Sequence, residues 1–280
     1  MVLRQARRLA VPAVASFHTD VPGYLQSYGY GLLARPAWRY LRWLHSHACL
    51  NLCPSAATMA QLEAHGLRDL ALWSRGVDAR AFSPAHRSVA WRQRLSAGDV
   101  TAPLLLYVGR LAAEKRVSWF GPLLEAVPGV RLALVGDGPA APRLRRQLGG
   151  KPVHFAGILR GPDLSAAYAS ADVFVFPSAT ETFGNVVLEA GASGLPAVAT
   201  HSGGVPDIVT DGVNGRIVAA DDLPGFIEAV RRLVSDPHGA QRLGEAARRA
   251  ALERSWSVVL DGLLERYAKC LRAHAPRAER

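Results

Sequence analysis

The chain has 280 residues, 49% of them hydrophobic and 20% charged, which supplies one large core or two modest ones and excludes a disordered chain or a fibre. No apolar run approaches the roughly 20 residues of a bilayer-crossing helix, and the charged opening Met1-Val-Leu-Arg-Gln-Ala-Arg-Arg8 lacks the apolar stretch of an export signal. Lysine plus arginine is 33 against 23 for aspartate plus glutamate, a net charge of +10 that either attracts anionic partners (nucleic acid, acidic lipid, phosphorylated small molecules) or only solvates the surface.

The chain opens with a helix pattern over about residues 2–9, a strand at 13–17, a long aromatic helix at about 35–48, a strand at 50–53 and a helix at 56–65. These amount to barely two β-α units, too little for a stable sheet of their own. The helix at 35–48 interleaves Arg35, Arg39 and Arg42 with Trp38, Tyr40, Trp43 and Leu44. That mixture suits either a half-buried domain helix or one lying at a membrane surface, with rings at headgroup depth and arginines on lipid phosphates. Cys49, Cys53 and Cys270 are too few and too unevenly spaced for a disulfide framework, and Cys49-x-x-x-Cys53 lacks a second pair for structural zinc. A reducing, cytoplasmic compartment is expected. A first, partial domain over 1–82 is followed by a polar, proline-bearing linker over 83–101.

From residue 102 to 255, β-branched runs alternate with amphipathic stretches. Strands are expected at 104–108, 131–135, 153–155, 173–176, 197–200 and 215–218, with helices or helical turns at 118–126, 141–148, 163–170, 185–193, 205–210 and 224–235. Such a pattern gives an α/β fold with a parallel sheet covered on both faces, whose ligands bind beyond the carboxyl ends of its strands. The last segment, 256–280, reads as one helix, suited to pack back on the first domain, and a basic tail.

The residues just after the strands carry the chemistry. Strand 173–176 runs into Pro177-Ser-Ala-Thr-Glu181-Thr-Phe-Gly184, and a helix then starts at Asn185 and contains Glu189. Glycine lets backbone approach a ligand, and a helix start presents unpaired N–H groups to oxygen-rich anions. Glu181 and Glu189 could accept hydrogen bonds from hydroxyls at either end of a polyhydroxylated ligand; equally, Glu189 could pair with an arginine and Glu181 cap the helix. Strand 104–108 ends in Gly109-Arg110-Leu-Ala-Ala-Glu-Lys115, where a guanidinium and an ammonium suit the charge of a diphosphate. Gly136-Asp-Gly-Pro139 forms a tight turn at the same edge.

Together these motifs, with Gly203-Gly-Val-Pro-Asp207 and Asp211-Gly-x-Asn-Gly215, resemble the retaining nucleotide-sugar glycosyltransferases of family 4, which have the GT-B fold. The resemblance implies a complete C-terminal Rossmann-like domain and an incomplete N-terminal one. It also implies that Arg110 and Lys115 hold the donor diphosphate, that Glu181 binds the donor sugar hydroxyls and that Glu189 binds the ribose. Gly109 would lie beside the phosphates, the backbone of Phe183, Gly184, Asn185 and Val186 would meet sugar and phosphate, and Gly157-Ile158 would edge the base. Upstream, Val14-Ala-Ser-Phe-His18-Thr-Asp20-Val-Pro-Gly-Tyr24, Asn51-Leu-Cys-Pro-Ser55 and Leu72-Trp-Ser-Arg75-Gly-Val-Asp78 are similar to sulfolipid synthases, which move sulfoquinovose from UDP to diacylglycerol. They are also similar to the GDP-mannose-dependent α-mannosyltransferases of glycolipid synthesis. In such enzymes a histidine in the place of His18 lies at the donor sugar.

The expected catalytic set is therefore His18, Arg110, Lys115 and Glu181, without cofactor or metal ligands, since no Asp-x-Asp sequence occurs and protein charge would hold the diphosphate. The expected partners are a nucleotide sugar and a lipid acceptor at the membrane surface, with the protein cytoplasmic and peripheral on that membrane. The opening strands and glycine loop of the family's first domain have no counterpart, so a shortened N-terminus is expected. A non-catalytic nucleotide-sugar-binding module would carry the same four charged groups. A nucleic-acid-binding protein would account for the charge, but no motif of that class occurs and nucleic acid is not an expected partner.

Overall fold

The computed structural model describes residues 5, 6, 8, 9 and 11–274. Half of the helix expected over 2–9 and the last residues of the basic tail lie outside them. The chain forms two compact units, one from residues 1–76 with 256–280 and the other from Val77–Ser255.

The first unit begins with β1 (Val14–Ser16), α1 (Val21–Ser27), α2 (Ala34–His45), β2 (Leu50–Cys53), α3 (Ala56–Ala64) and β3 (Leu70–Leu72). The three strands pair in parallel in the order β1-β2-β3, so a small sheet forms where the sequence offered only two strands. Helix α1 and strand β3 escaped the periodicity because seven and three residues are too few to display one. Asp20 starts α1 by accepting from Gly23 N at 2.9 Å, and Gln61 Nε2 donates to its other oxygen at 3.0 Å. Phe17, Cys53, Leu62 and Leu67 form the core, with Trp38 packed against it. Trp38 stacks on the His65 ring at 3.7 Å between centroids. Tyr40 and Trp43 remain exposed, as do Arg35, Arg39 and Arg42, so α2 divides its aromatics between core and solvent.

The second unit starts with α4 (Val89–Leu95) and then alternates β4 (Leu104–Val108), α5 (Phe120–Ala126), β5 (Arg131–Val135), α6 (Ala141–Gln147), β6 (Val153–Gly157), α7 (Gly161–Ser170), β7 (Val173–Phe176), α8 (Asn185–Ala192), β8 (Ala197–Thr200) and β9 (Gly215–Val218), ending with α9 (Leu223–Ser235) and α10 (Pro237–Leu252). Every residue of β4, β7 and β8 is buried, as expected for central strands covered on both faces. The sheet order is β6-β5-β4-β7-β8-β9, all parallel. The direction of winding reverses between β4 and β7, and at such a switch point the loops leaving the two strands diverge and open a crevice for ligand.

Residues 83–101, expected as a linker, are folded into this unit. Leu95 is fully buried in its core, and Arg92 Nη2 donates to the Ala102 carbonyl at 2.7 Å. The polar residues that suggested a linker are the solvent side and caps of a short helix. The helix or helical turn expected over 205–210 is a 3₁₀ turn, Val205–Asp207, and Val117–Trp119 forms another before α5.

Helix α11 (Trp256–His274) returns to the first unit, where Cys270 forms a disulfide with Cys49 across 221 residues of sequence. The expectation of unpaired cysteines is thus corrected: separation along the chain hid a pair whose Cα atoms are 6.6 Å apart. Cys53 stays free and buried, and burial pushes its thiol up to about 11. No helix among the described residues is long and apolar enough to cross a membrane.

Candidate functional site

The carboxyl ends of β4 and β7 bring the expected cationic loop to the expected acidic one. After β4 the chain passes Gly109 and Arg110 into a 3₁₀ turn, Ala113–Lys115. Ala179 N, after β7, donates to the Glu114 carbonyl at 2.9 Å and ties the two loops together. Lys115 Nζ is ion-paired with Glu181 Oε1 and also donates to the Thr180 carbonyl at 3.1 Å. Both side chains are only 14% exposed, so this pair is shielded far better than an ordinary surface bridge. Ser178 Oγ lies 3.2 Å from the same Glu181 oxygen, and Thr200 Oγ1 donates to the Ser178 carbonyl at 2.6 Å.

Arg110 is ion-paired with Glu114, four residues further along its own loop. Its carbonyl accepts from the buried Tyr107 hydroxyl at 2.9 Å. Burial, with Glu181 and Glu114 adding to it, pushes the Tyr107 phenol far above its usual range, so it is a neutral donor. Glu189, on α8, accepts from the Tyr168 hydroxyl at 2.9 Å. Burial raises the Glu189 carboxyl above its ordinary value, against the lowering effect of that hydrogen bond. Glu181 therefore has an ammonium partner and Glu189 a phenol. The two acids sit in separate environments.

Two glycines shape the loop between them. Gly184, immediately before α8, has φ +101°, a left-handed turn that lets the chain enter the helix with no side-chain cap on its first N–H groups. Gly203 has φ +50°, and a Cβ there would stand 1.4 Å from the Glu181 carbonyl oxygen. Its missing side chain is what lets the Glu181 loop lie where it does. Phe183 is buried beneath the loop, Val186 half-buried and Asn185 exposed at the helix start. Gly157 ends β6 and its carbonyl accepts from Gly136 N at 2.7 Å, while Ile158 is 63% exposed. The Gly157-Ile158 pair thus flanks the crevice two strands from β4.

His18 lies in the other unit, beyond β1. Its Nδ1 is 3.1 Å from Arg75 Nη2 and its Nε2 2.8 Å from Ser16 Oγ. Burial, and secondarily the Arg75 guanidinium, hold the imidazole below its usual range. Among the described residues no group of three or more His, Cys, Asp or Glu side chains is placed to hold a metal ion. Sequence reasoning missed Glu114, Ser178, Tyr107 and Tyr168. Only Glu114 carried a legible signal, the i,i+4 spacing from Arg110.

Residues 102–236 match the model of the glycosyl transferases group 1, and residues 1–81 that of glycosyltransferase family 4. The chain belongs to the family 4 glycosyltransferases. This glycosyltransferase chain is 44% identical over 266 residues to a GDP-mannose-dependent alpha-mannosyltransferase of Mycobacterium tuberculosis, covering 95% of this chain and 68% of that protein. It is 41% identical over 257 residues to sulfoquinovosyl transferase SQD2 of Arabidopsis thaliana, covering 90% of this chain. The chain spans 50% of the length of that plant relative. Among solved structures, Anabaena Alr3699/HepE in complex with UDP and glucose superposes with a TM-score of 0.83 at 21% identity, covering 95% of this chain and 74% of that one. The fold of this family 4 glycosyltransferase is GT-B, with two parallel α/β units.

Proposed function

We propose that the protein is a retaining glycosyltransferase that moves a hexosyl group from a nucleoside-diphosphate sugar to a lipid acceptor, with sulfoquinovose from UDP-sulfoquinovose and diacylglycerol as the pair. The observation that carries this reading is the shielded Lys115–Glu181 pair at the β4/β7 switch point, beside the uncapped start of α8. A donor diphosphate arriving there draws Lys115 toward its phosphates and frees Glu181 to accept from sugar hydroxyls. As the anomeric bond breaks, negative charge grows on the β-phosphate, and Arg110, Lys115 and the N–H groups at Asn185 are the fixed positive groups for it. Each well-placed donor of this kind is worth about 3 kcal/mol in a closed site. Glu189 accepts from the ribose while Tyr168 holds it, and protein charge rather than a metal neutralises the diphosphate. The acceptor hydroxyl attacks from the face the diphosphate leaves, so the product keeps the donor's anomeric configuration.

A GDP-mannose donor is the second reading, favoured by the 44% identity to the mycobacterial mannosyltransferase. For the lipid side, the exposed Tyr40 and Trp43 among the arginines of α2 suit a peripheral position on an anionic membrane face. The test is a thermal-shift series with UDP-sulfoquinovose, UDP-glucose and GDP-mannose, since a ligand that binds only the folded state stabilises it by about 2.7 kcal/mol at a hundred times its Kd. Absence of any shift with all three would sink the proposal.

A further inference from the structure

The amino ends of β2 and β3 carry a cleft of their own, on the opposite edge of the small parallel sheet from His18, which follows the carboxyl end of β1. Its walls are the last turns of α2 and the loop 66–69 that leads into β3, and its volume is about 660 Å³. Arg39, Arg42 and Arg68 line it together with Trp43, His45 and Asp69. Arg39 and Arg42, three residues apart, share a face of α2. A Cβ at Gly66 would stand 3.7 Å from Arg42 Nη1, so that guanidinium reaches across to the loop. The spacing of the walls is set from inside. Asn51, 2% exposed, donates through Nδ2 to the Arg68 carbonyl at 2.8 Å and to the His45 carbonyl at 3.3 Å, and its Oδ1 accepts from His45 Nδ1 at 2.8 Å. None of the three guanidiniums has a carboxylate within ion-pair distance among the described residues, where every ion pair lies in the other unit. Asp69 is the one carboxylate of the lining, which leaves two positive charges in excess. Like charges gathered on fixed walls repel one another, and an arriving anion relieves that repulsion.

We propose that this cleft binds the phosphate of an anionic glycerophospholipid, gripped by Arg42 and Arg68 from its two walls and by Arg39 from the helix. A guanidinium offers two parallel N–H groups to phosphate oxygens, and lipid also accounts for the rings beside the cleft. Tyr40 is 60% and Trp43 47% exposed. The Trp43 ring lies 5.8 Å from Tyr40 and 5.0 Å from His47, a row along α2 of the amphipathic kind that settles at headgroup depth. A soluble phosphate would leave that row in water. The proposal rests on the peripheral reading above and deepens it from a charged helix face to a defined headgroup site.

Sedimentation of the full chain with phosphatidylcholine vesicles, with and without phosphatidylglycerol, would compare the wild type with Arg68→Gln, Arg68→Lys and Arg35→Gln. Arg35 is exposed on the first turn of the same helix and outside the cleft, so the two glutamine variants each remove one charge and differ in its place. Arg68 is exposed and held by its carbonyl, so its variants should melt as the wild type does; Arg42→Gln repeats the test from the other wall if they do not. Arg68→Gln should weaken binding to the phosphatidylglycerol vesicles about 10-fold or more, Arg68→Lys less than that, and Arg35→Gln no more than about fivefold. Equal losses in Arg35→Gln and Arg68→Gln would mean that net charge alone holds the protein to the membrane; the peripheral reading would stand and the cleft would be overturned. A wild type that stays off phosphatidylglycerol vesicles would refute both. Calorimetry with glycerol 3-phosphate covers the remaining source, since Arg68-dependent binding there without retention on vesicles would assign the cleft to a soluble phosphate and overturn the lipid.

Discussion

Replacing Gly203 by alanine tests whether the Glu181 loop is held in place by a missing side chain. The new Cβ would start 1.4 Å from the Glu181 carbonyl oxygen, whereas carbon and oxygen settle at about 3.3 Å or more, so the loop must retreat by about 2 Å. That distance takes the Glu181 carboxylate out of reach of Lys115 and Ser178. Left-handed backbone costs alanine roughly 1–2 kcal/mol, and forcing packed atoms apart adds about 1–3 kcal/mol. The unit should lose about 3 kcal/mol, a fall in Tm of roughly 6–12 °C for a domain of this size. Circular-dichroism melting gives the first quantity and calorimetric titration with UDP the second, where a tenfold or greater loss is expected. Gly212→Ala is the control: its φ is +72° with nothing within 4 Å of the added carbon, so it carries only the backbone cost and leaves UDP binding unchanged. Equal effects of the two substitutions, or a Gly203→Ala protein that melts and binds UDP as the wild type does, would refute the reasoning.

Lys115→Ala should weaken UDP binding at least tenfold by calorimetry and, because it leaves the shielded Glu181 carboxylate without its ammonium partner, cost about 1–3 kcal/mol in denaturant unfolding. For Glu189 the folded carboxyl titrates above its unfolded value of 4.5; its contribution to stability is complete below the unfolded pKa and is lost as pH rises through the folded one. Glu189→Gln should therefore gain in Tm relative to the wild type as the pH goes from 4 to 8, and should bind UDP more weakly at pH 8. Tyr168→Phe removes the donor from a half-buried carboxylate and should cost about 1–3 kcal/mol in denaturant unfolding at neutral pH, less at pH 4, where Glu189 is protonated. Reducing Cys49–Cys270 should destabilise the first unit by about 2–5 kcal/mol and leave the melting of the second unchanged, read from fluorescence and circular dichroism with and without reductant.

The second unit was legible almost residue by residue because its strands are short and mostly apolar, and three of them run straight into glycine or proline: 104–108, 131–135, 173–176, 197–200 and 215–218 are the observed strands. Arg110, Lys115 and Glu181 were legible as members of post-strand loops, and Glu189 as part of the helix after the Glu181 loop, since a parallel sheet puts those loops at one edge. Their pairing was not. Nothing in the spacing says that Lys115 meets Glu181 while Arg110 turns back to Glu114, because that depends on which strands become neighbours in the sheet. The first unit was harder for the same reason on a larger scale. Strand β3 has three residues and no pattern, and a helix 221 residues from Cys49 supplies its disulfide partner. Short elements and long-range partners are what local periodicity cannot encode.

The route of the backbone also orders events during synthesis. Val77–Ser255 is an unbroken stretch that can reach its native form while the ribosome is still adding residues. The other unit takes in a helix from beyond that stretch, so Cys49 has no disulfide partner to meet until position 270 has been added.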